Sequence, residues 1–464
     1  VTAGLLAAGI ALGALSAIKP SLALGLLAVG LVAILAFRAP VAHLLALIFL
    51  TAVVPLTIQS RFGTGSANTT GVIPSDVFLL TGLVRAAWVL RREPLDRRGT
   101  VALALTLIFL GGAALQLLHA LRLGRSISGV GGEFRVLLGF GTVLMALPLL
   151  SDPRARRRLL GGLVVLGLLL GLWGVAQFVL GIRFELPADL GGGSAASFNT
   201  AGRVIGLFAF PVAALMALAA LVSGRIRSGG IRVALLAVLT LNLASMVLTF
   251  ERSFFVTTLL GVIAVLILTP GRQRLRLLAL APLGFVSVYL ALALLAPSVL
   301  SAYETRLSTL SNYRNDPAVT YRVAESRMVS REIDQHPLTG SGLGAAILIG
   351  RPGTTVPVVS RRYAENGYLW LAWKLGWLVA GALWLLMALA ILWPRRRGEQ
   401  ELFAATRVGA RAALLTLALV TASFASFTQI AITPTIGLLI ALCAAPAARA
   451  WGTQVAASGA EDAR

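Results

Sequence analysis

The chain has 464 residues, 58% hydrophobic and 12% charged, with a formal net charge of +22. Soluble domains carry about 25% charged residues, so this composition excludes a water-soluble globular fold and points to apolar helices that cross a bilayer. The positive charge does not indicate nucleic acid, because the arginines cluster in short loops, and a single cysteine, Cys443, excludes a disulfide framework or a Cys-based metal site.

Apolar runs predict spans at roughly 3–18, 21–37, 40–58, 73–90, 100–121, 131–150, 159–181, 202–223, 231–250, 252–269, 276–297, 365–393, 404–424 and 432–449. The first run lacks a preceding basic stretch and a second run follows at once, so it reads as a retained span rather than a signal peptide. The expected fold class is all-α: a polytopic transmembrane helix bundle of about 14 spans (12–14), with one large outer loop containing short helices. Residues 1–297 supply spans one to eleven, 298–364 the loop, 365–449 the last three spans, and 450–464 a tail.

The connecting loops separate by charge. Segments 91–98, 154–158, 225–232, 271–276 and 394–400, with Arg38, Arg407, Arg411 and Arg449, put 21 basic residues on one side. The short loops and helix mouths of the other side hold seven: Lys19, Arg61, Arg122, Arg125, Arg183, Arg203 and Arg252. The positive-inside rule makes the first side cytoplasmic and places both termini there. The stretch 298–364 falls on the outer side and is far longer than an ordinary connection; its arginines do not count against the assignment, because long translocated segments escape the rule. Within it, 318–335 reads as an amphipathic helix with Tyr321, Ala324, Met328, Val329 and Ile333 on its apolar side. "HPLTGSGLG" (336–344) ends that helix, and the loop is expected to fold over the outer ends of the spans.

Arg135, Arg203 and Arg252 stand at the outer ends of spans, and Arg322 lies in the loop. Each can snorkel to the interface or pair with a neighbouring acid such as Glu133 or Glu251. Together, their forked donors suit phosphate oxygens and stay charged at any relevant pH, so a lipid-linked phosphate or pyrophosphate is a natural ligand. No D-x-D and no His pair at ligand spacing occurs, and His43, His119 and His336 are scattered, so no metal site is expected. In "RRYAENGYLWLAWKLG" (361–376), Glu365 sits at the mouth of an apolar helix. It reads either as a general base or as a helix-start acid beside a capping Asn366. Trp370, Trp373 and Trp377 can stack on sugars or line lipid, and Lys374 should face the protein interior.

The order of "RVIG", "LTFERS", "YRVAESRMVSREIDQHPLTGSGLG" and "ENGYLWLAWKLG" resembles the O-antigen ligase and polymerase superfamily, over roughly residues 200–380. The resemblance implies a metal-independent, inverting glycosyltransferase of the bacterial cytoplasmic (inner) membrane that works at the outer face. The donor it implies is an undecaprenyl-pyrophosphate-linked glycan, the acceptor a lipid or glycan; membrane lipids are further partners, with no nucleic acid and no cofactor. Carried over by position, Arg252 matches the family's Ser-Arg arginine with Glu251 in place of the serine. Arg322 matches the loop arginine, Arg203 the arginine before Gly206, and Asn366 the asparagine of His-Asn, with Glu365 in place of the histidine. Glu365, Arg252 and Arg322 are then the expected catalytic residues. Arg203, Arg135, Asn366, Tyr368 and His336 are expected to bind substrate. His336 also reads as a turn residue that sets the loop's shape. Ligase and polymerase share these motifs, and a lipid-linked glycan transporter or flippase is the alternative of another class.

Overall fold

The computed structural model describes residues 20–54, 59, 72–92, 94–181, 209–249, 252–269, 317–349, 359–394, 401–423 and 426–446, with isolated positions between 271 and 301. The helices are α1 (Pro20–Arg38), α2 (Pro40–Ala52), α3 (Pro74–Leu90), α4 (Arg97–Arg122), α5 (Ile127–Leu138), α6 (Thr142–Ser151) and α7 (Pro153–Val179). They continue with α8 (Ala209–Val222), α9 (Gly229–Val247), α10 (Arg252–Leu268), α11 (Pro317–Gln335), α12 (Gly367–Leu392), α13 (Glu401–Thr421) and α14 (Thr433–Ala444). Two short strands, β1 (Ile347–Ile349) and β2 (Val359–Arg361), pair antiparallel with Ile347 opposite Arg361.

Helix starts follow local chemistry. Proline opens α1, α2, α3, α7 and α11, where its missing N–H is one that a helix start leaves unpaired anyway. The carboxylate of Asp96 accepts from the Gly99 amide at 3.0 Å, and that of Asp152 from the Arg154 amide at 2.9 Å, capping α4 and α7. A 3₁₀ turn at Gly139–Gly141 joins α5 to α6, so that Ile127–Ser151 runs as one apolar span. This span is the centre of the bundle. α14 packs along it, Thr433 Oγ1 donates to the Val136 carbonyl at 2.8 Å, and Phe109, Phe140 and Phe427 meet edge to face around it.

Six described helical segments are long and apolar enough to cross a membrane: Arg97–Arg122, Ile127–Ser151, Pro153–Val179, Gly229–Val247, Gly367–Leu392 and Leu402–Thr421. The protein is therefore a polytopic helical membrane protein. The expected count of about fourteen is not reached among the described residues. The expected span 3–18 lies outside them, and 276–297 largely so. Apolar runs at 40–58 and 432–449 meet shorter described helices, of 13 and 12 residues, while the first part of the run 202–223 lies outside the described residues. At 1.5 Å per residue such helices reach about 20 Å, short of a hydrocarbon core about 30 Å thick. An apolar run records burial, in protein or lipid, and not the length of the helix inside it.

Side-chain contacts fix which helix ends lie together. Arg98 donates to the Pro394 carbonyl at 2.9 Å, Arg156 to Pro446 at 3.0 Å and Arg407 to Ala445 at 2.8 Å. The starts of α4, α7 and α13 thus share one end of the bundle with the finish of α12 and α14. Arg125, just past the finish of α4, instead reaches the carbonyls of Gly342 and Leu343 at 2.9 and 2.8 Å, in a loop that meets the first third of α12 at Lys374. The basic loops 91–98 and 154–158 therefore sit at the end opposite the mouth of α12.

The long loop holds more than short helices. Its α11 is a 19-residue helix at nearly the expected position, and Val329 and Ile333 on its expected apolar side are buried. The β1–β2 ribbon was not expected: its strands are only three residues long, too short for an alternating pattern to stand out.

Candidate functional site: the mouth of α12

Two residues that sequence reasoning treated together part company at the start of α12. Asn366 is the cap, its Oδ1 accepting from the Tyr368 and Leu369 amides at 3.0 and 3.2 Å. The Glu365 side chain turns away from the helix and pairs with Arg322 Nε on α11. Helix capping thus accounts for Asn366 and leaves the Glu365 carboxylate for other work. The pair is accessible, with Arg322 40% and Glu365 29% exposed, so an anionic or hydroxyl-bearing ligand can compete for either partner.

Beneath this pair lies a second acid. Glu325 follows Tyr321 by four residues and precedes Val329 by four, so all three share one face of α11, and Glu325 is only 1% exposed. Its carboxylate accepts from the Glu365 amide at 2.8 Å and from the Tyr321 hydroxyl at 3.4 Å, and faces Arg361 at 4.0 Å. Burial pushes the Glu325 carboxyl above its ordinary value and the Glu365 charge adds to the rise, against the lowering effects of the amide, Arg361 and Tyr321. Burial raises the Tyr321 phenol too, reinforced by the neighbouring carboxylates. Arg361 completes the cluster from β2, 5.0 Å above the Tyr321 ring and 5.3 Å from the Tyr363 ring. The mouth of α12 therefore presents an exposed Arg–Glu pair on a buried carboxylate whose amide contact holds the Glu365 backbone.

Deeper along α12 the loop plugs a break in the helix. Gly376 has φ 76° and ψ 164°, a conformation essentially restricted to glycine. The break frees backbone groups that the loop then satisfies. Ser341 N donates to Trp373 O at 2.7 Å, Gly342 N to Lys374 O at 3.1 Å, and Trp377 N to Pro337 O at 2.8 Å. Lys374, fully buried, donates to Glu133 on α5 at 2.8 Å and to the Ala345 carbonyl at 2.5 Å. Glu133 in turn accepts from the Gly344 amide at 2.7 Å, and Gln116 on α4 donates to Thr339 O. The loop was expected to fold over the ends of the spans. Residues 337–345 go further and are built into the bundle at a broken helix.

The other expected site residues are distributed as follows. Arg203 lies outside the described residues, and so does Glu251. Arg252 opens α10, but its side chain is not among those described. Thr416 Oγ1 on α13 donates to Thr257 O on α10 at 3.1 Å, and Tyr368 OH to Ala418 O at 2.7 Å, so the start of α10 lies at the same end of the bundle as the mouth of α12. The Tyr368 hydroxyl is thus engaged within the bundle. Arg135 pairs with Asp76 at 2.9 Å rather than with Glu133, which Lys374 holds; the fold brings Asp76 in from α3, a partner 59 residues away that local reading could not supply. His336 is exposed at the far end of α11, eleven residues or about 16 Å along the axis from Glu325. Its backbone closes the turn, with Gly340 N donating to His336 O at 2.8 Å. Trp370 and Trp373 are buried, and Trp370 Nε1 donates to Arg362 O at 3.2 Å, so only Trp377 of the three tryptophans is substantially exposed. Glu325 and Arg361 were missed. The signal for Glu325 was present: it occupies an apolar-stripe position of an amphipathic helix.

Residues 235–384 match the family model of O-antigen ligase. The O-antigen ligase match begins in α9, covers α10, α11 and the β1–β2 ribbon, and runs into α12 past the break at Gly376. Arg322, Glu325, Arg361, Glu365 and Lys374 all lie inside it, whereas Asp76, Glu133 and Arg135 lie outside. The family resemblance read from the loop and α12 motifs is thereby shown for this part of the chain. No curated protein was found to match.

Proposed function

We propose that this protein is an inverting glycosyltransferase that moves a glycan from an undecaprenyl-pyrophosphate donor to a lipid or polymer acceptor, in the manner of an O-antigen ligase. The observation that carries the reading is the accessible Arg322–Glu365 pair at the mouth of α12, inside the O-antigen ligase match. Arg322, joined by Arg252 and Arg203, neutralises charge that develops on the leaving pyrophosphate. Glu365, released from Arg322 as the donor binds, accepts the proton of the acceptor hydroxyl. That oxygen attacks the anomeric carbon opposite the pyrophosphate, the new glycosidic C–O bond forms as the old one breaks, and undecaprenyl pyrophosphate leaves. Asn366 and the Glu325–Glu365 amide contact hold the mouth in register. Residues 298–364 act as an extracytoplasmic loop that limits access of water, between membrane portions 1–297 and 365–449. The basic loops gathered at the opposite end of the bundle support a cytoplasmic-membrane orientation with both termini inside and the site on the outer face.

The test is reconstitution in lipid vesicles with an undecaprenyl-pyrophosphate oligosaccharide, with the products sized on a gel. Donor consumption that requires an added second acceptor supports ligation. A ladder of lengthening glycans without that acceptor makes the protein a polymerase on the same site. Movement of labelled lipid between leaflets with neither product overturns the transferase reading.

A further inference from the structure

A cavity of about 470 Å³ lies among α2, α7, α8, α9, α13 and α14, well away from the mouth of α12. Its wall is apolar, with Phe49, Leu163, Val212, Met216, Val238 and Leu439 among the residues that line it. One end differs. Arg157 on the first turns of α7 and Arg225, Arg227 and Ser228 from the α8–α9 loop stand there, at the end of the bundle opposite Glu365. Further along, Thr435 also lines the cavity, and its buried hydroxyl has no hydrogen-bond partner among the described residues.

The cavity is open along one side and its arginines are exposed, and an unfilled apolar groove forfeits dispersion contacts along its wall. The volume falls in the range of sites that hold small organic ligands. Water is a poor occupant, because an apolar wall offers it few partners. A free phosphate would complement the positive charge of the arginines and leave the apolar wall bare, whereas a neutral lipid would cover the wall and leave that charge unmatched. An apolar chain that ends in an anion matches both ends at once.

We propose that this cavity holds an acyl chain of an anionic glycerophospholipid, with the phosphate headgroup on Arg157, Arg225 and Arg227. The lipid fills the seam between the α7–α9 and α13–α14 parts of the bundle, and comes from the leaflet at the basic end. Basic residues at a membrane surface attract such lipids by about 1 kcal/mol each, which is about fivefold in affinity per arginine.

The experiment uses the full chain, delipidated in detergent and titrated with phosphatidylglycerol or phosphatidylcholine of identical chains, with bound lipid read by native mass spectrometry. The wild type should prefer phosphatidylglycerol by about a hundredfold, for three arginines. The Arg157→Gln, Arg225→Gln, Arg227→Gln variant should lose that preference and keep weak binding of both lipids. Ala213→Phe, which fills the cavity from α8, should bind neither; melting of each variant in lipid-free detergent reports whether its fold is intact. Equal affinity of the wild type for the two lipids overturns the proposal, and so does undiminished phosphatidylglycerol binding by Ala213→Phe. Undecaprenyl phosphate offered to the wild type is the third arm: if it displaces phosphatidylglycerol at equal concentration, the occupant is a polyprenyl lipid and the proposal is wrong. None of these readouts depends on glycosyl transfer.

Discussion

Gly376→Ala is the most exposed prediction of the structure. At φ 76°, ψ 164° an alanine meets about 1–3 kcal/mol of backbone strain. Its Cβ would also overlap Leu338 O, lie 2.5 Å from Leu338 C and come 2.9 Å from Gly340 N, all backbone atoms that no side-chain rotation can move aside. The loop must therefore back out of the break. Doing so gives up three hydrogen bonds, Ser341 N to Trp373 O, Gly342 N to Lys374 O and Trp377 N to Pro337 O, each worth about 1 kcal/mol. The expected loss is about 4–6 kcal/mol. Gly381→Ala in the same helix is the control, because nothing lies within 4 Å of its added Cβ; it should be neutral or stabilise by up to about 1 kcal/mol. Equilibrium unfolding in mixed micelles, followed by the intrinsic fluorescence of the eight tryptophans, measures both. Hydrogen exchange at Ser341 and Gly342 reports the loop directly. A Gly376→Ala protein that loses less than about 1 kcal/mol and keeps those two amides protected would refute the docking of the loop into α12.

Glu365→Gln should lower glycosyl transfer by about 10²–10⁴-fold, the usual contribution of a general base. Its effect on stability should stay under about 1 kcal/mol, since the Arg322 pair is partly exposed. Equal losses in activity and stability would reduce Glu365 to a structural residue. For the buried pair, Glu133→Ala strands a fully buried ammonium and should cost about 3–5 kcal/mol. Lys374→Met leaves only the 13%-exposed Glu133 unpaired and should cost less; a double-mutant cycle checks the asymmetry. Glu325 supplies a pH dependence. Its folded-state value lies above the ordinary 4.5, so the folded state holds the proton more tightly than the unfolded chain. The resulting stability is complete below pH 4.5 and is lost as pH rises through the raised value. Relative to Glu325→Gln, the wild-type melting temperature should fall over that window; parallel curves would contradict the burial of a titrating carboxylate.

Much of this protein is written in local pattern. Apolar runs located the described helices, because every backbone group in a bilayer must be satisfied within its own segment. Arginine placement separated the two ends of the bundle, and the contacts from Arg98, Arg156 and Arg407 now tie the basic loops 91–98 and 154–158 to one of them. The 3.6-residue period located α11 and its buried face, and Asn366 announced itself as a cap. Sequence pattern also put Lys374 inside the protein, because an ammonium in lipid is costly. What pattern did not reach was the choice of partner. Arg135 lies two residues from Glu133, yet pairs with Asp76, while Glu133 turns to a lysine 241 residues away. Glu365 has Arg361 and Arg362 close in sequence, yet its partner is Arg322 on α11. The break at Gly376 gave no sign either, since glycine is common in membrane helices for other reasons and only the incoming loop makes an interrupted helix affordable. Hydrophobicity and helical period are properties of one segment, readable along the chain. Pairing energies depend on distance through space, and only the packed bundle decides which charges meet.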